Sequence, residues 1–209
     1  MPAHRSSAEA EVRDDVVARL RQFRPKARIM HEINACGFGN RIDVLAVDRA
    51  EIIAVEVKSE KDKLDRLPDQ ISAMRGVAHH VIAALHEKFL LPYQHNEKVV
   101  LPPSEARGAT VWAFPLRADR DSIGIDPWTE PRFSLTLPLP ANALHMLWAN
   151  ELRHLCLKLG VPADSRTTMP CMVNALRWRC TGEQLTKGIC AALRARVCIE
   201  ADDPILEAA

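Results

Sequence analysis

Apolar residues recur at spacings of three and four near the start of the chain, with charged residues between them. The pattern covers residues 7–23 and is typical of an amphipathic helix with one buried face. Pro25 follows, and proline cannot continue a helix. We therefore predict a first helix over residues 7–23, whose buried stripe consists of Val12, Val16, Val17, Leu20 and Phe23.

Three short runs rich in isoleucine and valine come next, over residues 27–33, 41–47 and 51–58. Such runs between turn residues indicate β-strands. The first connection, NACGFGN, contains two glycines and two asparagines and suits a tight hairpin, and the second is only three residues long. Short connections join antiparallel neighbours, so the pattern predicts an antiparallel meander.

The pattern then returns to a helical period over residues 61–78, with Pro68 near the start of that helix or at a kink in it. Buried strands are predicted at residues 79–86 and 109–116, with a loop-rich segment between them. The order of helix, three strands, helix and two strands predicts an α/β fold with a mixed sheet flanked by helices.

Beyond residue 116 the chain changes character. Residues 117–140 are rich in proline and charge, which indicates a linker or an extended arm. Three further helices are predicted at residues 141–161, 167–180 and 182–198. The sequence thus predicts a core at 1–116, a linker or arm at 117–140 and a helical domain at 141–209.

Composition and charge narrow the class of protein only slightly. The net charge is +1, which neither supports nor excludes a nucleic-acid partner. The first residues lack the apolar segment of a signal peptide, and no run is long enough to span a membrane, so we expect a cytoplasmic protein. None of the six cysteines forms a C-x-x-C pair, which favours reduced, mostly buried thiols over a zinc site.

The strand at residues 51–58 carries a chemical anomaly. Glu56 and Lys58 interrupt an apolar run and, two residues apart, leave the same face of the strand. Burying an unpaired charge is costly, so the two must pair with each other or with another charged group. Asp43 interrupts the preceding strand, and antiparallel pairing brings it alongside Glu56. Glu32 repeats the pattern in the first strand.

Carboxylates that converge in one sheet repel each other unless a cation lies among them. Magnesium suits such a place, because it takes oxygen ligands and needs only one or two carboxylates besides water and phosphate. Lys58 beside that ion could hold the attacking water and neutralise charge at phosphorus. The chemistry implied is metal-assisted hydrolysis of a phosphodiester, with Mg²⁺ or Mn²⁺.

An Asp on one strand followed by E-x-K on the next resembles the PD-(D/E)XK nuclease superfamily. The matching elements are Arg41-Ile42-Asp43 and Glu56-Val57-Lys58, and the predicted order of helices and strands agrees with that restriction-endonuclease-like fold. The resemblance implies metal-dependent cleavage of DNA. It also implies that Asp43 and Glu56 bind the metal and that Lys58 assists catalysis.

Residues after the E-x-K strand resemble a group of small bacterial and phage proteins in that superfamily. Its pattern is matched by Ser59, Asp62, Arg66, Leu67 and Gln70, within a likeness that covers roughly residues 30–115. Two positions depart from the pattern. Ile42 replaces the proline before the Asp, which leaves the carboxylate in place, and Met74 replaces an aromatic residue, which weakens the match to the smaller group.

Each of these residues also has a simpler interpretation. Asp43, Glu56 and Lys58 could form a structural ion pair, and Glu32 is either a third metal ligand or a solvated carboxylate on an edge strand. Gln70 and Arg66 share a helix face that points at the metal, at a phosphate or at solvent. The histidines lack the spacing of known metal or nucleophile motifs, which favours packing roles.

The helical tail resembles the small helix–extension–helix modules called SAP, which bind DNA. Hydroxyls and N–H groups at a helix start readily receive phosphate, and the tail offers both together with basic side chains. The residues that would contact DNA are Lys158, Arg166, Thr167, Thr168, Arg177 and Arg179. The alternative is a helical lid packed on the core or on a second subunit.

The sequence therefore predicts a metal-dependent DNA nuclease of bacterial or phage DNA metabolism, in which Glu32 and Gln70 support the Asp43, Glu56 and Lys58 trio. One alternative is a DNA-binding or assembly protein that keeps the fold without cutting. Another is a protein-interaction module that docks through its helical tail. DNA is the expected partner and no membrane is expected. A homodimer stays open, since many enzymes that cut both strands pair two active sites.

Overall fold

The computed structural model describes residues 6–35, 40–117, 121–132 and 137–206. A five-stranded sheet forms its centre, in the spatial order β1-β2-β3-β4-β7. Its strands are β1 (Arg28–Asn34), β2 (Arg41–Val47), β3 (Ile52–Lys58), β4 (His80–His86) and β7 (Thr110–Phe114). The first three strands are antiparallel neighbours, whereas β3, β4 and β7 run parallel. The predicted mixed α/β fold is confirmed.

Two apolar cores cover the two faces of this sheet. Helix α1 (Ser7–Phe23) packs on one face through Val12, Val16 and Leu20. Helix α2 (Leu67–Arg75), with Pro68 in its first turn as predicted, packs on the other. That second core continues into the C-terminal helices α3 (Ala149–Lys158), α4 (Met169–Arg179) and α5 (Gly182–Ala195).

Strands β1 and β2 exchange faces part-way along their length. Met30 and Ile33 lie in the same core, although residues three apart on a regular strand point to opposite faces. Ile42 and Leu45, their neighbours on β2, do the same. The change occurs at Glu32, whose φ of 55° lies in the left-handed region. The distortion turns Glu32 and Asp43 out of the regular alternation.

Some predicted bounds differ from those of the structure. The loop-rich segment contains a small hairpin, β5 (Leu91–Tyr93) with β6 (Asn96–Leu101), which β8 (Asp121–Ser122) extends into a second sheet. The predicted helix at 141–161 is a 3₁₀ turn, Ala141–Met146, followed by α3. The predicted glycine-rich hairpin connection includes residues 36–39, which lie outside the described residues, as does Cys36.

The thiols are less buried than predicted. Cys156 and Cys190 are buried, Cys171 is exposed and the other two described cysteines are half-buried. Cys171 lies on an outward helix face, where the apolar pattern of the segment did not distinguish it from its neighbours. In the part of the chain that the structure describes, no helix is long and apolar enough to cross a membrane.

Part of the proline-rich segment packs against the core. The Trp128 ring stacks on the Trp112 ring of β7, with ring centroids 4.9 Å apart, and its indole N–H donates to the Ala113 carbonyl at 3.1 Å. Asp126 pairs with the same strand through a backbone bridge to Trp112. These contacts bury Trp128 and fix this segment on β7.

We expect Trp128→Ala to lower the free energy of unfolding by about 3–5 kcal/mol, because it empties a buried ring site. Trp178→Ala is the matched control. It removes the same ring from a position that is 88% exposed, and its expected effect stays within about 0.5 kcal/mol. Urea unfolding of both variants measures the difference. Equal losses would show that the stacked pair does not stabilise the core.

A segment far along the chain covers the outer edge of β1. The His31 N–H donates to the Glu200 carbonyl at 2.8 Å, and the Asp202 N–H donates to the Ile29 carbonyl at 2.9 Å. The fully buried Arg28 donates to carbonyls at the end of α5 and to that of Asp202. Residues 200–202 thereby act as a short additional strand.

Candidate active site

Strands β2 and β3 bring the predicted Asp43, Glu56 and Lys58 together. Their register pairs Val44 with Val55, so the next opposed positions are Asp43 and Glu56. The Asp43 Oδ2 oxygen accepts a hydrogen bond from the Val57 N–H at 2.7 Å. The Asp43 carboxylate therefore reaches across to β3, between the two polar residues of that strand.

Glu56 lies at the centre of the cluster and is only 1% exposed. Its Oε1 oxygen accepts a hydrogen bond from Lys58 Nζ at 2.7 Å and a second from Gln70 Nε2 on α2. Its Oε2 oxygen and Gln70 Oε1 are buried and have no hydrogen-bond donor among the described residues. Two buried oxygens thus lack a partner at one place.

Burial and like charge disfavour ionisation of both carboxyl groups. Burial, followed by repulsion from Asp43, raises the pKa of Glu56 to about 8, although Lys58 and Gln70 act in the opposite direction. Burial also raises the pKa of Asp43, against the lowering effects of the Arg13 guanidinium and the Val57 N–H. A divalent cation would relieve this conflict.

Arg13 of α1 is a site residue that the sequence did not reveal. Its buried guanidinium donates to the Asp43 carbonyl and lies 3.4 Å from Asp43 Oδ1. It also donates to Glu32 Oε1 at 3.1 Å and to Glu9 Oε1 at 2.8 Å. In the sequence Arg13 follows Val12 at the margin of the apolar stripe, where a charged residue ordinarily reaches solvent.

Glu32 is linked to Asp43 through a shared cation, because Arg13 Nη2 lies 3.1 Å from Glu32 Oε1 and 3.4 Å from Asp43 Oδ1. It is engaged by Arg13 and lies 3.6 Å from the Arg41 guanidinium. Its role as a metal ligand stays a prediction, and in this structure arginines supply its positive partners.

The cluster fits a hard cation through few protein ligands. Within the described ranges, no group of three or more His, Cys, Asp or Glu side chains forms a ready metal cage. Magnesium does not require one, because it retains several waters and binds through one or two carboxylates. Three groups offer the oxygen ligands that magnesium prefers: the Asp43 carboxylate, Glu56 Oε2 and the amide oxygen of Gln70. Among the described residues, no hydrogen-bond donor competes for the last two oxygens.

The residues that flank the trio have mostly local roles. Asp62 accepts from the Ser59 N–H and hydroxyl at 2.7 and 2.6 Å, so it closes the turn after β3 and does not cap α2. Arg66 is exposed at the start of α2, one turn before Gln70. His79 accepts from the Ile52 N–H at 3.1 Å, which agrees with the predicted packing role.

The predicted DNA contacts of the helical tail are mostly exposed. Lys158, Arg166 and Arg177 all reach solvent. Thr167 differs, because its hydroxyl bonds to Asp164 Oδ1 at 2.8 Å and accepts from the Asp164 N–H. That hydroxyl is occupied within its own turn, with a carboxylate beside it.

Comparisons with known proteins add one finding to this geometry. Comparison with curated proteins and with solved structures gives no match. A family model described as Bacteriophage P4 protein cII matches residues 3–95, a little under half of the chain. The matched part includes α1, the meander, α2 and β4, and therefore every residue of the candidate active site. Over those residues the chain is similar to a phage protein family.

Proposed function

We propose that this protein is a metal-dependent nuclease of the PD-(D/E)XK type that hydrolyses phosphodiester bonds in DNA. The observation that carries the proposal is the buried convergence of Asp43, Glu56 and Lys58, with an unpartnered Glu56 oxygen among them. The order of elements and the mixed sheet agree with the fold that this superfamily uses. The similarity to a phage protein family favours a role in phage DNA metabolism.

A structural ion pair explains this cluster less well. Lys58 and Gln70 both donate hydrogen bonds to Glu56, and both bonds go to the Oε1 oxygen. If Glu56 served only to neutralise Lys58, its Oε2 oxygen would be buried without a hydrogen bond, and its desolvation would destabilise the fold. A cation bound by that oxygen and by Asp43 would offset this desolvation.

Each side chain then has a distinct task. Asp43 and Glu56 would hold Mg²⁺ or Mn²⁺, which supplies Lewis-acid activation of water and of the phosphate. The Val57 N–H and Arg13 fix the orientation of the Asp43 carboxylate. Lys58 Nζ, held by Glu56 Oε1, orients the attacking water and offsets negative charge that develops at phosphorus. Gln70 fixes the position of Glu56 from α2.

The test is cleavage of supercoiled plasmid with Mg²⁺ or Mn²⁺ and with an EDTA control. We expect Asp43→Ala and Lys58→Ala each to reduce the rate by about 10²–10³-fold or more, because each removes a charge at the reacting centre. Lys63→Ala is the matched control, since Lys63 is exposed on the loop after β3. A folded wild type that leaves plasmid, linear and single-stranded DNA intact would remove the nuclease proposal and favour the non-catalytic alternative.

A further inference from the structure

Helix α4 presents an aromatic side chain directly to solvent. Its buried residues, Met172, Val173 and Leu176, face the core. Trp178 lies on the opposite side of the helix, because two residues beyond Leu176 correspond to a rotation of about 200°. The ring is 88% exposed. Among the described residues it stacks on no other ring and lies under no cation.

The surroundings of this ring are positively charged. Arg177 and Arg179 flank Trp178 and are both exposed. Neither has a carboxylate or other polar partner in the part of the chain that the structure describes. Helix α4 itself carries these two arginines and no aspartate or glutamate. Two cationic side chains thus adjoin one exposed indole.

This combination matches the chemistry of a single-stranded nucleic acid. Unpaired bases stack on exposed aromatic rings irrespective of sequence, and guanidinium groups bind the phosphates on either side. In a duplex, both faces of each internal base are already covered by neighbouring bases. A ring on a convex helix surface therefore favours single strands over duplex.

We propose that Trp178, with Arg177 and Arg179, forms a binding site for single-stranded nucleic acid. The indole stacks on one unpaired base, and the two guanidiniums contact the adjoining phosphates. The site goes beyond the proposed cleavage reaction, because it lies on α4 and requires neither the metal nor the β2–β3 carboxylates. It would hold an unpaired strand independently of the chemistry.

Fluorescence anisotropy of a labelled oligothymidylate, measured with the full chain in EDTA, tests the site. We expect Trp178→Ala to weaken binding about tenfold and Trp178→Phe to retain most of it, because stacking requires an aromatic face. Leu157→Ala is the matched control, since Leu157 is an apolar residue 77% exposed on the neighbouring helix α3. Its affinity should equal that of the wild type.

The salt dependence of binding tests the proposed contacts between the two arginines and phosphate. Replacing Arg177 and Arg179 with glutamine should reduce the slope of log affinity against log salt by roughly 0.7 for each phosphate that is no longer neutralised. Oligoribonucleotide and duplex DNA of the same length form the other arms. Comparable binding of both single strands, with weaker duplex binding, is the expected result.

Three outcomes would overturn the proposal. Trp178→Ala and Leu157→Ala could bind oligothymidylate equally well, or duplex could bind as tightly as single strands with no effect of the ring. Alternatively, light scattering could show that the wild type is a dimer and Trp178→Ala a monomer, which would assign the ring to an interface between copies. Because every measurement uses EDTA, failure of the nuclease proposal leaves these results unaffected.

Discussion

Replacing Glu56 with glutamine is expected to eliminate metal-dependent cleavage and, in the same protein, to remove a pH-dependent loss of stability. Glutamine preserves the size of the side chain but cannot supply a carboxylate to a cation. We expect the cleavage rate to fall by about 10³-fold, the upper part of the range for a charged group at a reacting centre. Plasmid cleavage at saturating Mg²⁺ measures the loss.

The effect on stability follows from the pKa of Glu56, which is raised from 4.5 to about 8 in the folded protein. Between these values the folded state holds a proton that the unfolded state has released. The unfolding free energy of the metal-free wild type must therefore decrease as pH rises, by about 1.4 kcal/mol per pH unit for one proton. Between pH 5 and pH 8 this amounts to roughly 3–4 kcal/mol. The glutamine variant does not titrate at this position and lacks that decrease.

Urea unfolding at pH 5, 6, 7 and 8 in EDTA measures this difference. Groups remote from the site titrate equally in both proteins, so the difference between wild type and variant reports Glu56 together with its repulsion of Asp43. Added Mg²⁺ should stabilise the wild type at pH 8 and leave the variant unchanged, because only a ligand that binds the folded state shifts the equilibrium. A wild-type minus variant difference that is constant with pH would contradict the raised pKa.

Arg24→Met is expected to lower the free energy of unfolding by about 3–5 kcal/mol, because the buried Arg24 guanidinium pairs with Glu51 and also with Glu130. Glu51 is buried, and the Arg24 guanidinium binds both of its oxygens, at 2.5 and 3.2 Å. Burial alone would raise the pKa of Glu51, but hydrogen bonds from His80 and Arg24 outweigh it and lower that pKa. Removing Arg24 leaves a buried charge with one remaining partner.

Arg21→Met provides the control for that substitution. Arg21 lies in the last turn of α1, three residues before Arg24, and pairs with Asp202 at 2.6 Å, but its side chain is 50% exposed. Exposed pairs contribute about 0–1 kcal/mol, so the control should lose no more than that. Thermal or urea unfolding of the two variants gives the comparison. If both lost the same amount, burial of the Arg24–Glu51 pair would not explain its contribution.

Regular periodicity made much of the fold predictable from the sequence. Helix α1 and strand β2 have the predicted bounds. The apolar positions of α1 follow a period of 3.6, and β2 is a short apolar run, broken only at Asp43, between connecting segments. The β5–β6 hairpin was missed since prolines and polar residues interrupt its alternation. Helix α3 begins later than predicted, because local hydrogen bonds at residues 141–146 form a 3₁₀ turn and Leu147 is extended.

The candidate site was predictable only in part, for a physical reason. Asp43, Glu56 and Lys58 are charged residues within apolar strands, and such residues can be recognised in the sequence alone. Arg13 breaks no pattern, because an arginine beside the apolar stripe of a helix is ordinary. Its burial depends on Glu32 and Asp43, which approach it only after β1 and β2 change faces. Contacts that arise from a distortion of two strands leave no periodic signal.

The pairing of residues 200–202 with β1 also constrains how the chain folds during its synthesis. Strand β1 leaves the ribosome about 170 residues before the segment that covers its outer edge, so the nascent meander exposes unpaired backbone groups while the remainder is translated. Arg28 can likewise form its hydrogen bonds to the end of α5 only after that helix has been synthesised. Vectorial folding can thus build the carboxylate cluster early, but closure of the sheet is a late event.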